Sequence, residues 1–329
     1  MSLTPTVHDI RSAASRLTGH IVRTPLVESV ALNEVLGGRI LFKAESLQKT
    51  GSFKFRGALN RICQLSEAER LAGVVAFSSG NHAQGVALAA SLTQVSSTIV
   101  MPEDAPQSKI SATRNYGADV ILIERDDDLR EKFAADLTEE RGSILVRPFD
   151  EFDIIAGQGT VGLEIIEQTG SMGVVPDAVL CPCGGGGLVS GASIALQDQW
   201  PKLLVFAVEP EGFDDTRRSL ETGNRERNSE VTGSICDALL APTPGSLTFA
   251  INKDRLAGSI TVKDTATKRA MAAAFQYLNL VVEPGGAIAL GALLDGQYKV
   301  QDKTVVVVLS GGNVDTNVFA DALKEPTTS

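Results

Sequence analysis

Compact apolar runs alternate along this chain with segments of helical period, and that alternation sets the expected architecture. Residues 7–17 read as a short helix, 39–43 as a strand, and 53–65 as an amphipathic run with apolar or small residues at helical spacing. The run GVVAF at 73–77 reads as a strand followed at once by a helix through residue 92. Strand 97–101, helix 107–116, strand 120–123, helix 128–140 and strand 143–146 complete a first series. A second series runs through helix 154–169, strand 178–181, helix 188–199, strand 203–208, helices near Thr216 and over 263–280, and strand 304–309. Apolar strands alternating with helices across short turns predict parallel sheets covered on both faces, an α/β protein. Residues 224–245 are the most irregular stretch and are expected to be a loop-rich excursion. The rest shows no repeat, low-complexity tract or long linker.

Composition narrows this picture. The 329 residues suffice for one large or two medium domains. Apolar residues at 43%, aromatics at only 5% and 31 glycines suit Val/Ala-rich parallel sheets with many tight turns. A formal charge of −10 argues against nucleic acid or an anionic membrane as the main partner. No apolar stretch reaches the roughly 18 to 20 residues of a membrane span, and residues 1–17 have no secretory-type apolar core. A soluble cytoplasmic protein is expected. Cys181 and Cys183 are the one close pair among four cysteines, so reduced, packed thiols are expected rather than a zinc set or disulfides.

Chemistry gathers at Lys54 and at four strand ends, where open parallel sheets bind ligands. Lys54 opens the amphipathic run behind Ser52, a candidate N-cap, although the helix dipole disfavours a cation in the first turn. Ser78-Ser79-Gly80-Asn81-His82 offers hydroxyls, an amide and helix-start N–H groups to a carboxylate, and is also ordinary turn chemistry. Gly184, Gly185, Gly186 and Gly187 let backbone N–H groups surround an anion at a helix start. The spacing fits neither a P-loop nor G-x-G-x-x-G, so a phosphate monoester suits it better than a nucleotide; a flexible turn is the alternative. Ser310, after TVVVVL, can face a ring nitrogen as a neutral partner. Glu209, the Phe213 carbonyl and Asp215 offer hard oxygens to Mg²⁺ or Ca²⁺, against a solvated acidic helix start.

A lysine, a phosphate cradle, a neutral acceptor and a carboxylate pocket together suggest pyridoxal phosphate. The chain in fact resembles the fold-type II pyridoxal-phosphate enzymes, specifically the serine/threonine dehydratase and serine racemase group. GSFKFRGA, SSGNHAQGVA, IAGQGTVGLEI, CGGGGLVSG, VEPEGFDD, VEPGGA and LSGGNVD occur in the family's order and span nearly the whole chain. The resemblance implies two open, twisted, mostly parallel sheets with helices on both faces (the tryptophan synthase β-like fold). Residues 1–70 and 151–329 would form a large cofactor domain, and 71–150 a small substrate-side domain.

The same resemblance implies roles. Lys54 would hold the cofactor covalently and remove the substrate's Cα proton, with Ser79 on the opposite face. Phe53, Asn81, Gly184–Gly187, Glu283 and Ser310 would bind the cofactor. Ser78, Ser79, Asn81, His82 and Arg130 would meet the substrate, and Glu209, Phe213 and Asp215 a divalent cation (Mg²⁺, Mn²⁺ or Ca²⁺). The implied reaction is elimination of water from a β-hydroxy amino acid, giving a 2-oxo acid and ammonia. Arg130 stands where serine racemase and hydroxyaspartate-lyase relatives carry an arginine facing the substrate side chain, which tilts the substrate toward 3-hydroxyaspartate over serine or threonine, against an arginine pairing with its own acidic neighbours on a solvated helix. A serine or aspartate racemase with side elimination is the alternative, and a non-catalytic cofactor carrier a third. Ala238 replaces a glycine and Ala241 a serine of the racemases. A regulatory extension beyond about residue 325 is not expected, and a homodimer is expected.

Overall fold

The computed structural model describes residues 4–78, 80–124 and 126–327. Its strands are β1 (Leu26–Glu28), β2 (Arg39–Ala44), β3 (Val74–Phe77), β4 (Ser97–Pro102), β5 (Asp119–Ile123), β6 (Ile144–Leu145), β7 (Ala178–Pro182), β8 (Leu204–Pro210), β9 (Gly258–Val262) and β10 (Thr304–Leu309). Among the described residues they form a six-stranded sheet, β1-β2-β10-β7-β8-β9, and a four-stranded sheet, β5-β4-β3-β6. Every pairing is parallel except β1 with β2. The protein is therefore α/β with two mostly parallel sheets.

The apolar strands are continuous because both faces are covered. On β10, Val305, Val307 and Leu309 join one core with Ile40, Phe42 and Leu180, under helices Asp264–Leu278 and Pro284–Leu294. Val306 and Val308 point the other way, with Leu41, Val179 and Cys181, toward helices Phe152–Ser171 and Gly187–Gln199. The smaller sheet repeats this. Val74, Ala76, Ile99 and Met101 pack with helices Lys54–Ile62 and Asn81–Leu92. Val75 and Val100 meet Ala134 and Leu137 on helix Asp127–Arg141.

Helix Lys54–Ile62 is wedged between the two sheets' coverings. A Cβ at Gly157 would stand 2.7 Å from Gly57 Cα, and one at Gly85 would stand 3.2 Å from the Lys54 carbonyl carbon. These small residues let helices Phe152–Ser171 and Asn81–Leu92 close on it from two sides. A buried ionic cluster locks its inner face. Arg56 donates to Glu45 (2.8 Å) and Glu164 (2.6 Å), and Lys43 donates to Glu164 (2.5 Å). Removing one partner from such a cluster strands a buried charge, which is far costlier than losing a surface pair.

Ser52 is not the helix cap the sequence predicts. It is extended (φ −160°, ψ 160°), pairs with Gly311 as an isolated bridge, and leaves its hydroxyl buried without a partner. Phe53 precedes the helix with no side-chain cap bond. The tertiary bridge to Gly311 outcompetes the local cap and draws the Lys54 segment against the end of β10.

Candidate functional site

Three of the four predicted strand-end turns converge on one cavity of about 320 Å³ between the two sheets. It is lined by Ser78 and Gly80–His82 after β3, Gly184–Gly187 after β7, and Ser310 after β10, together with Phe53, Lys54, Arg130 and Glu283. Glu209 and Asp215, at the end of β8, lie outside it. Ser79 falls outside the described residues.

Lys54 Nζ donates to the Pro148 carbonyl (2.7 Å) and sits 5.3 Å from the Phe53 ring centroid. The side chain keeps some surface toward the cavity, but protein surrounds the amine. Burial lowers its pKa from 10.5 to about 8, against the pull of the Glu283 charge. The neighbouring imidazole of His82 is driven to about 3 by burial and by the Lys54 charge. It is therefore neutral, with Nε2–H donating to the Val146 carbonyl (3.0 Å) and Nδ1 buried without a protein partner.

Asn81 is held on both sides. Its Nδ2 donates to Glu283 Oε1 (2.5 Å), and its Oδ1 accepts from Asn313, which also donates to the Thr50 carbonyl. Glu283 Oε2 is buried and unpartnered, and burial foremost raises this carboxyl to about 7.

The glycine loop is shaped from outside as well as within. Gly186 has φ +93°, a left-handed conformation that disfavours other residues. A Cβ at Gly185 would stand 2.3 Å from the Phe149 ring. Thr248 Oγ1 donates to the Gly185 carbonyl (2.6 Å), which ties that peptide to helix Ser246–Arg255. The first-turn amides of helix Gly187–Gln199 have no carbonyl partner within the helix, and its dipole adds positive potential. Asp150 secures the far wall by accepting from the backbone amides of Ser246, Leu247 and Thr248, so it caps helix Ser246–Arg255 from 96 residues earlier at its nearest contact.

Some lining groups were not foreseen. Lys109 bonds Asp237 (2.8 Å) across the cleft, joining a helix on the smaller sheet to the excursion on the larger. Gln158, Arg147, Arg225 and Arg227 also face the cavity. Its cations (Lys54, Lys109, Arg130, Arg147, Arg225, Arg227) outnumber its acids (Glu131, Asp150, Asp237, Glu283) in a chain of net charge −10. Only the folded topology gathers them, although clustered arginines at 225 and 227 in an otherwise irregular segment are a visible hint.

At the end of β8, Glu209 accepts from the Thr216 and Arg217 amides and from Ser259 Oγ. Asp215 Oδ1 accepts from Asn228, while Oδ2 is buried without a partner. Burial raises both carboxyls, Glu209 to about 8 and Asp215 to about 7, and the Asp215 charge adds to the rise at Glu209. Among the described residues no group of three or more His, Cys, Asp and Glu side chains is arranged around a metal. No disulfide joins the four cysteines. No helix of the described residues is long and apolar enough to cross a membrane.

A buried amine that shares one cavity with a helix-start glycine loop and a neutral serine, at the carboxyl ends of parallel strands, fits a phosphorylated pyridine aldehyde in donor chemistry. That combination defines an enzyme class that activates amino acids on such a cofactor. The chain belongs to the family described as pyridoxal-phosphate dependent enzyme, whose profile matches residues 17–311. It is 42% identical over 317 residues to the L-threo-3-hydroxyaspartate ammonia-lyase of Pseudomonas sp, covering 96% of this chain and 98% of that protein. It is 41% identical to the serine racemase of Dictyostelium discoideum, over 97% of this chain and 98% of that one. The crystal structure of T.th. threonine deaminase superposes with a TM-score of 0.90 at 44% identity, covering 94% of this chain and 99% of that one.

Proposed function

We propose that this protein is an ammonia-lyase eliminating water from a β-hydroxy-α-amino acid, with 3-hydroxyaspartate favoured and serine or threonine as further substrates. The observation that carries this reading is the desolvated Lys54 amine, set in one cavity with the glycine loop and Arg130. The ammonia-lyase named above, similar to this chain over nearly its full length, supports the substrate class.

When bound, pyridoxal phosphate supplies the electron sink that makes an amino acid's Cα–H acidic. Lys54 would hold the cofactor and, once the substrate amine has displaced it, would accept the Cα proton at Nζ, for which a partly neutral amine is required. The N–H groups at Gly184–Gly187 bind the phosphate. Phe53 would pack on the ring, Ser310 would offer its nitrogen a neutral hydroxyl, and Asn81, steadied by Glu283, would offer its second Nδ2 hydrogen to the ring oxygen. Ser78, Ser79, Asn81 and the neutral His82 receive the substrate α-carboxylate, and Arg130 pairs with a second carboxylate. The net reaction removes water across Cα–Cβ. The released enamine hydrolyses to oxaloacetate and ammonia, which balances the atoms of 3-hydroxyaspartate.

In this reading residues 71–150 form the substrate-side lobe of a cytoplasmic homodimer. Glu209, the Phe213 carbonyl and Asp215 take Mg²⁺, Mn²⁺ or Ca²⁺, a reading supported by the orphaned Asp215 Oδ2. A chelator should then lower the melting temperature of wild type but not of Asp215→Asn. Racemisation is the second reading, favoured by the racemase relative and opposed by the apolar Ala241 in the cavity wall.

Arg130→Ala tests the substrate assignment. Losing a carboxylate partner should cost 3-hydroxyaspartate about 100-fold in kcat/KM and serine less than about threefold. Equal losses on both substrates would remove the preference.

A further inference from the structure

The excursion over residues 224–245 supplies one wall of the cavity through residues 241–245, with Arg225 and Arg227 beside them. Side chains, with a backbone bond at Asn228, hold this wall rather than a regular ladder. Arg225 Nε donates to the Pro244 carbonyl (2.8 Å) and Thr243 Oγ1 to the Glu226 carbonyl (2.8 Å). The Asn228 amide donates to the Pro242 carbonyl (2.8 Å), and Asn228 Nδ2 to the Ala241 carbonyl (2.9 Å).

Asn228 also reaches out of the excursion. It is only 5% exposed. The same Nδ2 donates to Asp215 Oδ1 (2.8 Å), and its Oδ1 accepts from Arg218 (2.6 Å). An amide nitrogen carries two hydrogens, so Nδ2 is fully used by one carboxylate and one cavity-wall carbonyl. Carboxylate and amide are both rigid planes. A group that drew in the orphaned Asp215 Oδ2 would move Oδ1 with it, and the amide bonded to Oδ1 and to the Ala241 carbonyl is the link along which that shift would reach the wall.

We propose that Asn228 is a positioning residue that ties the Glu209–Asp215 pair to the substrate-cavity wall, so that a divalent cation on the pair sets substrate affinity. The cation half rests on the functional reading above; the hold of Asn228 on Ala241 does not.

The test uses Asn228→Ala holoenzyme and Mn²⁺, with metal uptake followed by electron paramagnetic resonance and kinetics measured on 3-hydroxyaspartate with and without the metal. Wild type should take up Mn²⁺ and lower its KM. The variant should take up Mn²⁺ within about threefold of wild-type affinity, since both carboxylates remain. Its KM should rise about tenfold while kcat holds within about threefold, and that KM should no longer respond to Mn²⁺. A variant KM that falls with Mn²⁺ as in wild type overturns the proposal, as does an equal loss in kcat and kcat/KM. If wild type takes up no Mn²⁺, the cation reading fails alone. The metal-free split then decides: raised KM with retained kcat upholds the role of Asn228, and an unchanged KM overturns it. Asn228→Ser, which leaves one donor in the same space, carries the same expectations should the alanine variant not fold.

Discussion

A lysine that serves as nucleophile and base must spend time uncharged, and burial gives Lys54 that property. At pH 7.5 an ordinary lysine is neutral in roughly one molecule per thousand, whereas one near 8 is neutral in roughly a quarter. Covalent uptake of pyridoxal phosphate by the apoenzyme should therefore accelerate as pH rises through about 8 and then level. A rate still climbing toward 10.5 would show the amine to be solvated. Glu283 makes a second test. Its rise from 4.5 to about 7 means the folded chain holds a proton that the unfolded chain has released. That contribution to stability is complete below about 4.5 and lost as pH climbs to about 7. His82, lowered from 6.5 to about 3, acts oppositely, since its unfolded imidazole gains a proton on acidification. Apo Glu283→Gln should melt higher than wild type at pH 7.5, with the gap closing toward pH 4.5. A gap independent of pH would contradict a buried, proton-holding Glu283.

Glycine loop and helix start act as one element, and Phe149 makes that element intolerant of change. Overpacking costs about 1–3 kcal/mol, which at this loop corresponds to roughly 5- to 150-fold in cofactor Kd. Gly185→Ala should show such a loss by fluorescence titration, and adding Phe149→Ala should recover part of it. No recovery would mean that the methyl group acts on the cofactor rather than on the ring. Much of this level was legible in the sequence: apolar strands, their following turns and the loop at 184–187 are local patterns. What escaped has physical causes. Helix Pro284–Leu294 is buried almost all round and shows no amphipathic period. Helix Ser246–Arg255 takes its cap from Asp150, far away in sequence. Ser52 reads as a cap in isolation and is overruled by Gly311. The Lys109–Asp237 bridge and the arginines at the cavity mouth exist only once the sheets are side by side.

In a chain of net charge −10, six cations against four acids among the described residues line the cleft between the two sheets. A cofactor phosphate and a dicarboxylate substrate are both suited to that field, which added salt screens. The KM for 3-hydroxyaspartate should thus rise with ionic strength more steeply than the KM for serine, and parallel slopes would argue against a selective role for the cationic mouth. Turnover in that cleft rests on Lys54 working on an amino acid. Its most direct test is stoichiometric release of oxo acid and ammonia from 3-hydroxyaspartate by the purified, cofactor-loaded protein. Equal oxaloacetate and ammonia from wild type, and neither from Lys54→Ala, is the predicted result; no oxo acid from this or any β-hydroxy amino acid would contradict it.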